Sequence, residues 1–405
     1  MVVYIGIDWS QNKHDFTFLS ERGAMLAQFT IPHTHEGFLK LEETRRRLGL
    51  ATSVCAVALE TAHNLLIDFL WSRGYSQVYV VPPKAVKSNR SRYRQSGAHT
   101  DQSDSFVLAD LLRTDCGVLQ PWHPDSLLTR QMRAKVNLIS FLTRDILRLH
   151  NRLTAVLLRY YPAALHIFSC LSQIGADFIE AYPTPQAAAA LTFEQFVAFA
   201  RQHKYQHPRK LRAYFASLQA SYPEAMPETV QVYQDEAPLL AARLSELVQA
   251  KARALSELQA LFKQHPDHAV FSSLPGAADL LAPALLAMFG DDRQRFPTPV
   301  SVQALAGTCP VTKSSGQSKY IHFRWSCNRD FRLIAQQWAK ASLDKSIWAN
   351  AYWRQVRPRC KSDSHAYRCL ANRWLAILWK LWQVRQPYDE TYHCKQRALR
   401  SKPLS

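Results

Sequence analysis

The sequence predicts an α/β domain at the N-terminus, a long helical middle and a mainly α C-terminal domain. Three observations support this division. Short apolar runs of strand length alternate with helical spacing in the first quarter, two long amphipathic segments follow, and the last part is rich in basic residues and tryptophan. The length of 405 residues fits two to three domains. We expect them at residues 1–122, 123–265 and 266–405.

The N-terminal domain begins with three predicted strands. Residues 2–7 form a short apolar run that ends at Asp8, and residues 15–19 and 25–31 form a hairpin around the turn at Gly23. A helix at 36–48, a buried strand at 54–59, a helix at about 62–73 and a strand at 78–81 follow, and a further helix begins near Asp101. This order of three strands, helix, strand, helix, strand, helix is that of the ribonuclease H-like fold.

Four carboxylates in this domain form a candidate metal site. Asp8 and Glu60 each follow a predicted strand, while Asp101 and Asp104 are three apart at a helix start. Ligands gather beyond the carboxyl ends of strands in sheets of this kind, and hard divalent cations prefer oxygen ligands. Like charges on one helix face also repel unless a cation neutralises them. Singly, each acid is better explained as a polar strand end or a helix cap than as a metal ligand. Jointly, they predict a Mg²⁺ site.

The middle of the chain is predicted to be helical and coiled-coil-like. Residues 124–161 and 237–262 place apolar side chains at three- and four-residue steps, which predicts two long amphipathic helices that pair with each other or with another chain. The segment between them, about 162–230, contains several prolines and short helices such as 193–201. We interpret it as a small helical insertion.

Net charge indicates a polyanionic partner. The chain carries +18, and residues 310–405 contain 19 Lys and Arg against 5 Asp and Glu. Seven of the ten tryptophans also lie there; helical spacing around Trp374 indicates that most of them are core residues. A smaller basic run is predicted to hold a nucleic-acid backbone beside the carboxylates, or else forms a solvated helix face. Its members are Lys84, Lys87, Arg90, Arg92 and Arg94.

Other function classes are disfavoured. The apolar stretches are too short to span a bilayer, so we expect a cytoplasmic protein without a membrane partner. The eight cysteines are scattered with no Cys-x-x-Cys pair, which predicts neither a disulfide framework nor a zinc finger.

Two C-terminal segments complete the pattern. A glycine-containing turn at Gly276 opens an apolar helix and resembles a helix-hairpin-helix, whose turn amides hold phosphates. The polar loop 307–319 places Ser315 beside glycine and among lysines. A lone loop serine of this kind is rarely a nucleophile.

Together, these pieces resemble the DEDD-type transposases of bacterial insertion sequences, which are related to Piv-type DNA invertases and known as bridge-RNA-guided recombinases. The resemblance covers about residues 1–160 and 265–345. The matching pieces are Tyr4-Ile5-Gly6-Ile7-Asp8 with Asp15 following, Leu59-Glu60-Thr61, His99-Thr100-Asp101-Gln102-Ser103-Asp104-Ser105, Leu274-Pro275-Gly276, Ala304-Leu305-Ala306-Gly307 through Pro310, Ser314-Ser315-Gly316 and Cys327-Asn328.

The resemblance implies a site-specific recombinase of an insertion sequence. It implies a RuvC-like domain that holds Mg²⁺ or Mn²⁺ on Asp8, Glu60, Asp101 and Asp104. It further implies that Ser315, with Ser314 as the adjacent alternative, attacks DNA and forms a phosphoserine intermediate. Implied partners are double-stranded DNA at the element ends and target, a structured guide RNA and further copies of the chain, in a bacterial, nucleoid-associated setting. We expect Lys313, Lys319 and Arg324 to contact nucleic acid.

Two other functions fit the same residues. A metal-dependent nuclease of the Holliday-junction type would use water as the nucleophile, with Ser315 as a phosphate contact. A non-catalytic nucleic-acid-binding protein would use the carboxylates only structurally.

Overall fold

The computed structural model describes residues 2–61, 65–90, 92–93, 100–220, 222–316 and 318–401. The chain divides into two compact units, Met1–Pro124 and Asp125–Ser405. The first boundary lies close to the one expected at residue 122, while the division of the second unit into a helical middle and a C-terminal domain remains a prediction.

The first unit is built on a five-stranded mixed sheet in the order β3-β2-β1-β4-β5. Strands β1, β2 and β3 are antiparallel neighbours, whereas β4 and β5 run parallel to β1. Three sequential antiparallel strands followed by parallel crossovers are what the apolar runs predict, so the α/β start is confirmed. The strands are β1 Val3–Trp9, β2 Lys13–Ser20, β3 Met25–Pro32, β4 Cys55–Leu59 and β5 Gln77–Val80.

Helices cover both faces of this sheet. They are α1 His35–Arg47, α2 Leu65–Ser72, α3 Pro83–Arg90 and α4 Asp101–Asp115, with a 3₁₀ turn at Thr52–Val54. Helix α3 was absent from the predicted order of elements, although a helix face was one interpretation of the basic run within it. Pro82 and Pro83 end β5, but a proline is also favoured at the first position of a helix, where no amide donor is needed. Strand β1 also continues one residue past Asp8, so Asp8 lies within the strand rather than after it.

Two long helices form the spine of the second unit. Helices α5 Leu127–Tyr160 and α10 Pro227–Gln264 pack along each other. The expected start of α10 at residue 237 is wrong, because the helix begins at Pro227 and continues through Pro238. An interior proline weakens a helix. Here Ala237 and Ala241 beside it are fully buried, and tertiary packing holds the segment helical.

The insertion between the spine helices has a core of its own. Phe168, Phe178 and Phe196 are buried at its centre and contact one another through their rings. Its elements are α6 Gln173–Ala181, α7 Pro185–Ala189, α8 Phe193–Gln202 and α9 Leu211–Leu218, with 3₁₀ turns at Pro162–His166 and Pro208–Lys210.

The remaining part of the second unit is mainly helical around one short hairpin. Its helices are α11 His268–Ser272, α12 Leu281–Phe289, α13 Pro299–Leu305, α14 Arg329–Ala341, α15 Ile347–Val356, α16 Asp363–Val384 and α17 Glu390–Ser401. The hairpin strands are β6 Val311–Ser315 and β7 Ser318–His322, and 3₁₀ turns lie at Arg293–Arg295, Ser342–Asp344 and Arg357–Arg359. The helix-hairpin-helix interpretation of the Gly276 turn, which lies between α11 and α12, remains a prediction.

Tryptophans dominate the core of this region. Trp338, Trp374 and Trp382 are fully buried and Trp348 nearly so, which confirms that most of the C-terminal tryptophans are packing residues. Trp325 differs, because 75% of it is exposed just after the hairpin.

A search of the described helices finds no span with the length and hydropathy that crossing a bilayer requires.

Candidate active site

Asp8 and Glu60 lie at the same edge of the sheet. Strands β1 and β4 are parallel neighbours, and their register pairs Ile7 with Leu59. The next residue of each chain segment is therefore Asp8 on one side and Glu60 on the other. Both side chains are half-buried. The structure thus brings together the two carboxylates that the strand pattern placed at one sheet edge.

Helix α4 delivers the other two carboxylates. Thr100 caps its first turn by accepting a hydrogen bond from the Ser103 amide, and the Ser103 hydroxyl lies 2.9 Å from the Thr100 amide in return. Asp101 and Asp104 lie on this capped first turn. The cap fixes where the helix begins, and so fixes the position of both acids.

Gly6 allows α4 to approach the sheet closely. A Cβ atom at Gly6 would lie only 1.9 Å from the carbonyl oxygen of Ser105 and 2.4 Å from the amide nitrogen of Ala109. Only glycine fits this contact between β1 and α4. A second contact joins the Ser105 and Thr17 hydroxyls at 2.8 Å. The acids of α4 are therefore held against the strand that carries Asp8.

Mutual repulsion shows how closely the acids are grouped. Burial is the largest cause that raises the pKa of Asp8 to about 7, and the negative charges of Asp104, Asp101, Glu60 and Asp15 raise it further. Burial also raises the pKa of Glu60, which Arg90 lowers and Asp104 raises. A site that disfavours its own negative charge in this way is stabilised by a bound cation.

Two of the four carboxylates already face cationic side chains. Arg90 binds Asp104 through two nitrogen–oxygen contacts of 2.8 and 2.7 Å, and Lys13 lies 2.8 Å from an oxygen of Asp101. Within the described residues, no three of these carboxylates have oxygens that all lie within 4.8 Å of one another. The donor set still fits Mg²⁺ or Mn²⁺, since Mg²⁺ is usually held by one or two carboxylates and keeps several waters.

Asp15 is a fifth carboxylate of this site that the strand-end argument missed. The antiparallel register of β1 and β2 places it directly opposite Asp8. Its side chain is buried, accepts a hydrogen bond of 2.5 Å from Thr30 and lies 3.8 Å from the Lys13 ammonium. The hairpin pattern carried a signal for it, since a hairpin centred on residues 10–13 aligns positions 8 and 15.

The basic run before α4 has mixed surroundings. Lys84, Lys87 and Arg92 are exposed and available to a nucleic-acid backbone. Arg90 is instead occupied by Asp104. Arg94 lies outside the described residues.

Ser315 lies at the tip of the β6–β7 hairpin in the second unit. It is the last residue of β6, it pairs with Ser318, and the turn begins at Gly316, whose φ of +56° favours glycine. Ser315 is exposed. A serine so presented is accessible to a DNA backbone.

The hairpin register separates the two adjacent serines. Side chains alternate between the faces of a strand, so Ser315 shares its face with Lys313 and Tyr320, whereas Ser314 shares the opposite face with Lys319 and Ile321. Lys313 and Lys319 are both exposed. The predicted cationic contacts thus lie on both faces of the hairpin, one beside each serine.

The base of the hairpin is tied to the helical core. Arg324 donates hydrogen bonds to the carbonyl oxygens of Cys309 and Pro310 at 3.2 and 3.4 Å, and the Asn328 amide donates to Leu305 at 2.8 Å. Arg324, predicted to contact nucleic acid, thus also closes the loop that carries the hairpin.

Comparisons with known proteins match both ends of the chain. A family model described as a transposase of the DEDD, IS110 type matches residues 5–162, and one described as a transposase of the IS116/IS110/IS902 family matches residues 268–354.

Curated relatives from actinobacteria match nearly the whole chain. A mini-circle putative transposase for IS117 from Streptomyces coelicolor is 30% identical, with 96% of each chain covered. An uncharacterized 43.6 kDa protein of insertion element IS110 from the same species is 24% identical over 94% of this chain and 93% of its own. An uncharacterized 42 kDa protein of insertion element IS900 from Mycobacterium paratuberculosis is 26% identical over 94% and 95%. The chain therefore belongs to the IS110 family of DEDD transposases.

Proposed function

We propose that this transposase cuts and rejoins DNA by phosphoryl transfer to Ser315, assisted by a divalent cation at the carboxylates of the first unit and guided by RNA. The observation that carries the proposal is the grouping of Asp8, Glu60, Asp101 and Asp104. Burial, and after it the negative charges of the neighbouring acids, raises the pKa of Asp8 to about 7. Four acids grouped beside a half-buried strand end can bind a divalent cation, which in turn binds the phosphate that reacts.

Asp8 and Glu60 would hold the cation, with Asp104 and Asp101 joining when Arg90 and Lys13 turn to the DNA phosphates. When bound, Mg²⁺ or Mn²⁺ supplies Lewis-acid stabilisation of the negative charge on the phosphoryl oxygens. Arg90 and Lys13 are suited to this exchange because each already pairs with a carboxylate, and arginine and lysine side chains also bind phosphate.

Ser315 would be the nucleophile. Its Oγ forms a bond to phosphorus while the bond from phosphorus to one sugar oxygen breaks, and the hydroxyl proton ends on that leaving oxygen. The phosphodiester energy is retained in the phosphoserine, so the reverse reaction with a different DNA end rejoins the strands. Lys313 shares the face of Ser315 and would contact the phosphate under attack.

The first test compares Ser315→Ala with Ser314→Ala. Both serines are exposed, so neither change should alter thermal stability. With DNA carrying the element ends, we expect covalent protein–DNA adducts on denaturing gels from wild type and Ser314→Ala, and none from Ser315→Ala. Adducts from Ser315→Ala but not from Ser314→Ala would show that Ser314 is the nucleophile. Cleavage without any adduct in wild type would establish the water-using nuclease instead.

A second test addresses the carboxylates. We expect Asp8→Asn to abolish adduct formation while DNA affinity stays equal or rises, because a repulsive negative charge is removed. Full activity in Asp8→Asn would leave the carboxylates structural and favour a protein that only binds nucleic acid.

RNA guidance is supported by charge and by the resemblance. The chain carries +18, and base pairing between RNA and DNA would supply sequence specificity while the protein grips the backbone. RNA transcribed from the flanking DNA should co-purify with the full-length chain. A base change in one RNA loop should block recombination, and the complementary change in DNA should restore it.

Assembly into a homo-oligomer is supported by the surface of the spine. Helix α5 exposes apolar side chains at several points along its length, which a second copy of the chain would cover. The exposed residues are Leu127, Leu138, Phe141, Leu147 and Leu158. Light scattering of the full-length chain should show a dimer or larger, and Phe141→Glu should shift it toward monomer.

A further inference from the structure

Three potential metal ligands meet at the start of α16. Cys360 follows the 3₁₀ turn Arg357–Arg359, while His365 and Cys369 are one helical turn apart on α16. All three are half-buried, and one ligand atom from each lies within 4.8 Å of the others. Within the described chain, this group does not overlap the carboxylate site of the first unit.

The local fold explains why they meet. His365 and Cys369 are four apart and therefore share a helix face. Ser362 caps the helix by accepting a hydrogen bond of 3.2 Å from the His365 amide. Arg357 donates to the Cys360 carbonyl at 3.2 Å and also pairs with Asp363. The segment before α16 is thus folded back so that Cys360 faces the first turn of the helix.

We propose that Cys360, His365 and Cys369 form a Zn²⁺ site. Two thiolates and an imidazole are the ligands that zinc prefers. Zinc–sulfur distances of about 2.3 Å and zinc–nitrogen distances of about 2.0 Å require ligand atoms roughly 3.5–3.8 Å apart in a tetrahedron. The observed ligand atoms lie within 4.8 Å of one another, so closing to that spacing needs a movement of about 1 Å. Three protein ligands leave the fourth position for water.

The charge of the group also suits its surroundings. Lys361 and Arg368 lie beside the ligands, and a bare divalent cation would be repelled there. Zinc bound by two thiolates and a neutral imidazole carries no net charge, so the bound metal adds no repulsion.

The site has a structural consequence for the hairpin. Arg368 directly precedes Cys369 in the sequence, and its guanidinium stacks on Phe323, 4.7 Å from the ring centroid. Arg332 stacks on the same ring at 4.4 Å. Phe323 immediately follows β7, so a metal that fixes the first turn of α16 would also hold the base of the hairpin that presents Ser315.

The test uses the full-length chain, purified under reducing conditions, stripped with a chelator and titrated with Co²⁺. We expect one Co²⁺ per chain to give thiolate-to-metal charge-transfer absorption, which the carboxylate site cannot give. Cys360→Ser and Cys369→Ser should each lose this absorption and weaken Zn²⁺ binding by at least about a hundredfold. Cys394 is another half-buried thiol of the same unit, and Cys394→Ser should retain both the absorption and the Zn²⁺ affinity.

A thermal measurement guards against misfolded variants. Zn²⁺ should raise the melting temperature of wild type and Cys394→Ser, and should leave Cys369→Ser at its metal-free value, which should match that of metal-free wild type. Absence of the absorption in wild type, its persistence in both ligand variants, or a Cys360–Cys369 disulfide in the reduced protein's mass spectrum would each overturn the proposal.

Discussion

Gly6→Ala should disturb the active site through a single methyl group. The added Cβ would lie 1.9 Å from the Ser105 carbonyl oxygen and 2.4 Å from the Ala109 amide nitrogen. Ordinary contact needs about 3.4 Å, so α4 must retreat from β1 by roughly 1.5 Å. Both obstacles are backbone atoms that no side-chain rotation removes. Overpacking costs about 1–3 kcal/mol, and we expect this change to fall at the upper end of that range.

Hydrogen exchange by mass spectrometry measures this effect within the first unit. Peptides from β1 and α4 should exchange faster in Gly6→Ala, by up to about a hundredfold for a loss near 3 kcal/mol. Mn²⁺ binding, followed by electron paramagnetic resonance, should weaken because α4 carries Asp101 and Asp104. Gly117→Ala is the matched control, since no atom lies within 4 Å of its added Cβ. Wild-type exchange and wild-type Mn²⁺ affinity in Gly6→Ala would refute the close packing of α4 on β1.

Three further predictions concern charge and surface. Because Asp8 has a pKa of about 7, its proton competes with the metal ion below that pH. Mn²⁺ affinity should therefore rise about tenfold per pH unit from pH 5 to 7 and level off above pH 7. Asp8→Asn should remove this dependence of affinity on pH. Arg90→Leu removes the guanidinium that pairs with Asp104 and should tighten Mn²⁺ binding several-fold, whereas Arg92→Leu should leave Mn²⁺ affinity unchanged. Weaker Mn²⁺ binding in Arg90→Leu would show instead that the arginine holds Asp104 in position. Trp325→Ala should leave thermal stability unchanged and weaken nucleic-acid binding about tenfold, because stacking on the indole is lost. Ile347 is also exposed, and Ile347→Ala should change neither property. Equal nucleic-acid affinities of Trp325→Ala and wild type in a filter-binding assay would exclude a stacking role.

The order of elements in the first unit was predictable because its signals are local. Buried strands appear as short apolar runs, and the hairpin of β2 and β3 appears as alternation around a glycine turn. Helix α3 was missed because Pro82-Pro83 is compatible both with the end of a strand and with the start of a helix. The early start of α10 was missed because the buried packing that tolerates Pro238 is a tertiary fact.

The sequence indicated four acids of the candidate carboxylate site, whereas the strand-end argument missed Asp15 and no pattern indicated which cations lie beside the acids. Strand ends and helix spacing pointed to Asp8, Glu60, Asp101 and Asp104. That Arg90 pairs with Asp104 depends on how α3 folds back on α4, which no local pattern shows. The spacing Cys360-x₄-His365-x₃-Cys369 was also overlooked. Its first ligand follows a 3₁₀ turn and the other two lie on a helix, whereas the sequence was searched only for the Cys-x-x-Cys pairs of zinc fingers.

The carboxylates and the serine that act together come either from the same chain or from two chains of a dimer. Neither half is sufficient: acids with a cation activate water, and an exposed serine without them is a poor nucleophile. Asp8→Asn lacks one half and Ser315→Ala lacks the other, so each variant alone should form no adduct. If the two halves are contributed by different chains of a dimer, mixed dimers contain one intact site.

Mixing the two variants in equal amounts therefore separates the possibilities. Random assortment makes half the dimers mixed, and each mixed dimer has one intact site of two, so adduct yield should reach about a quarter of wild type. Asp8→Asn mixed with the double variant Asp8→Asn/Ser315→Ala is the control and should give none. If the halves act within one chain, the first mixture is as inactive as its components, because every site then carries one of the two substitutions. A yield near a quarter would mean that DNA is cut only after the chains have assembled, so assembly itself controls the chemistry.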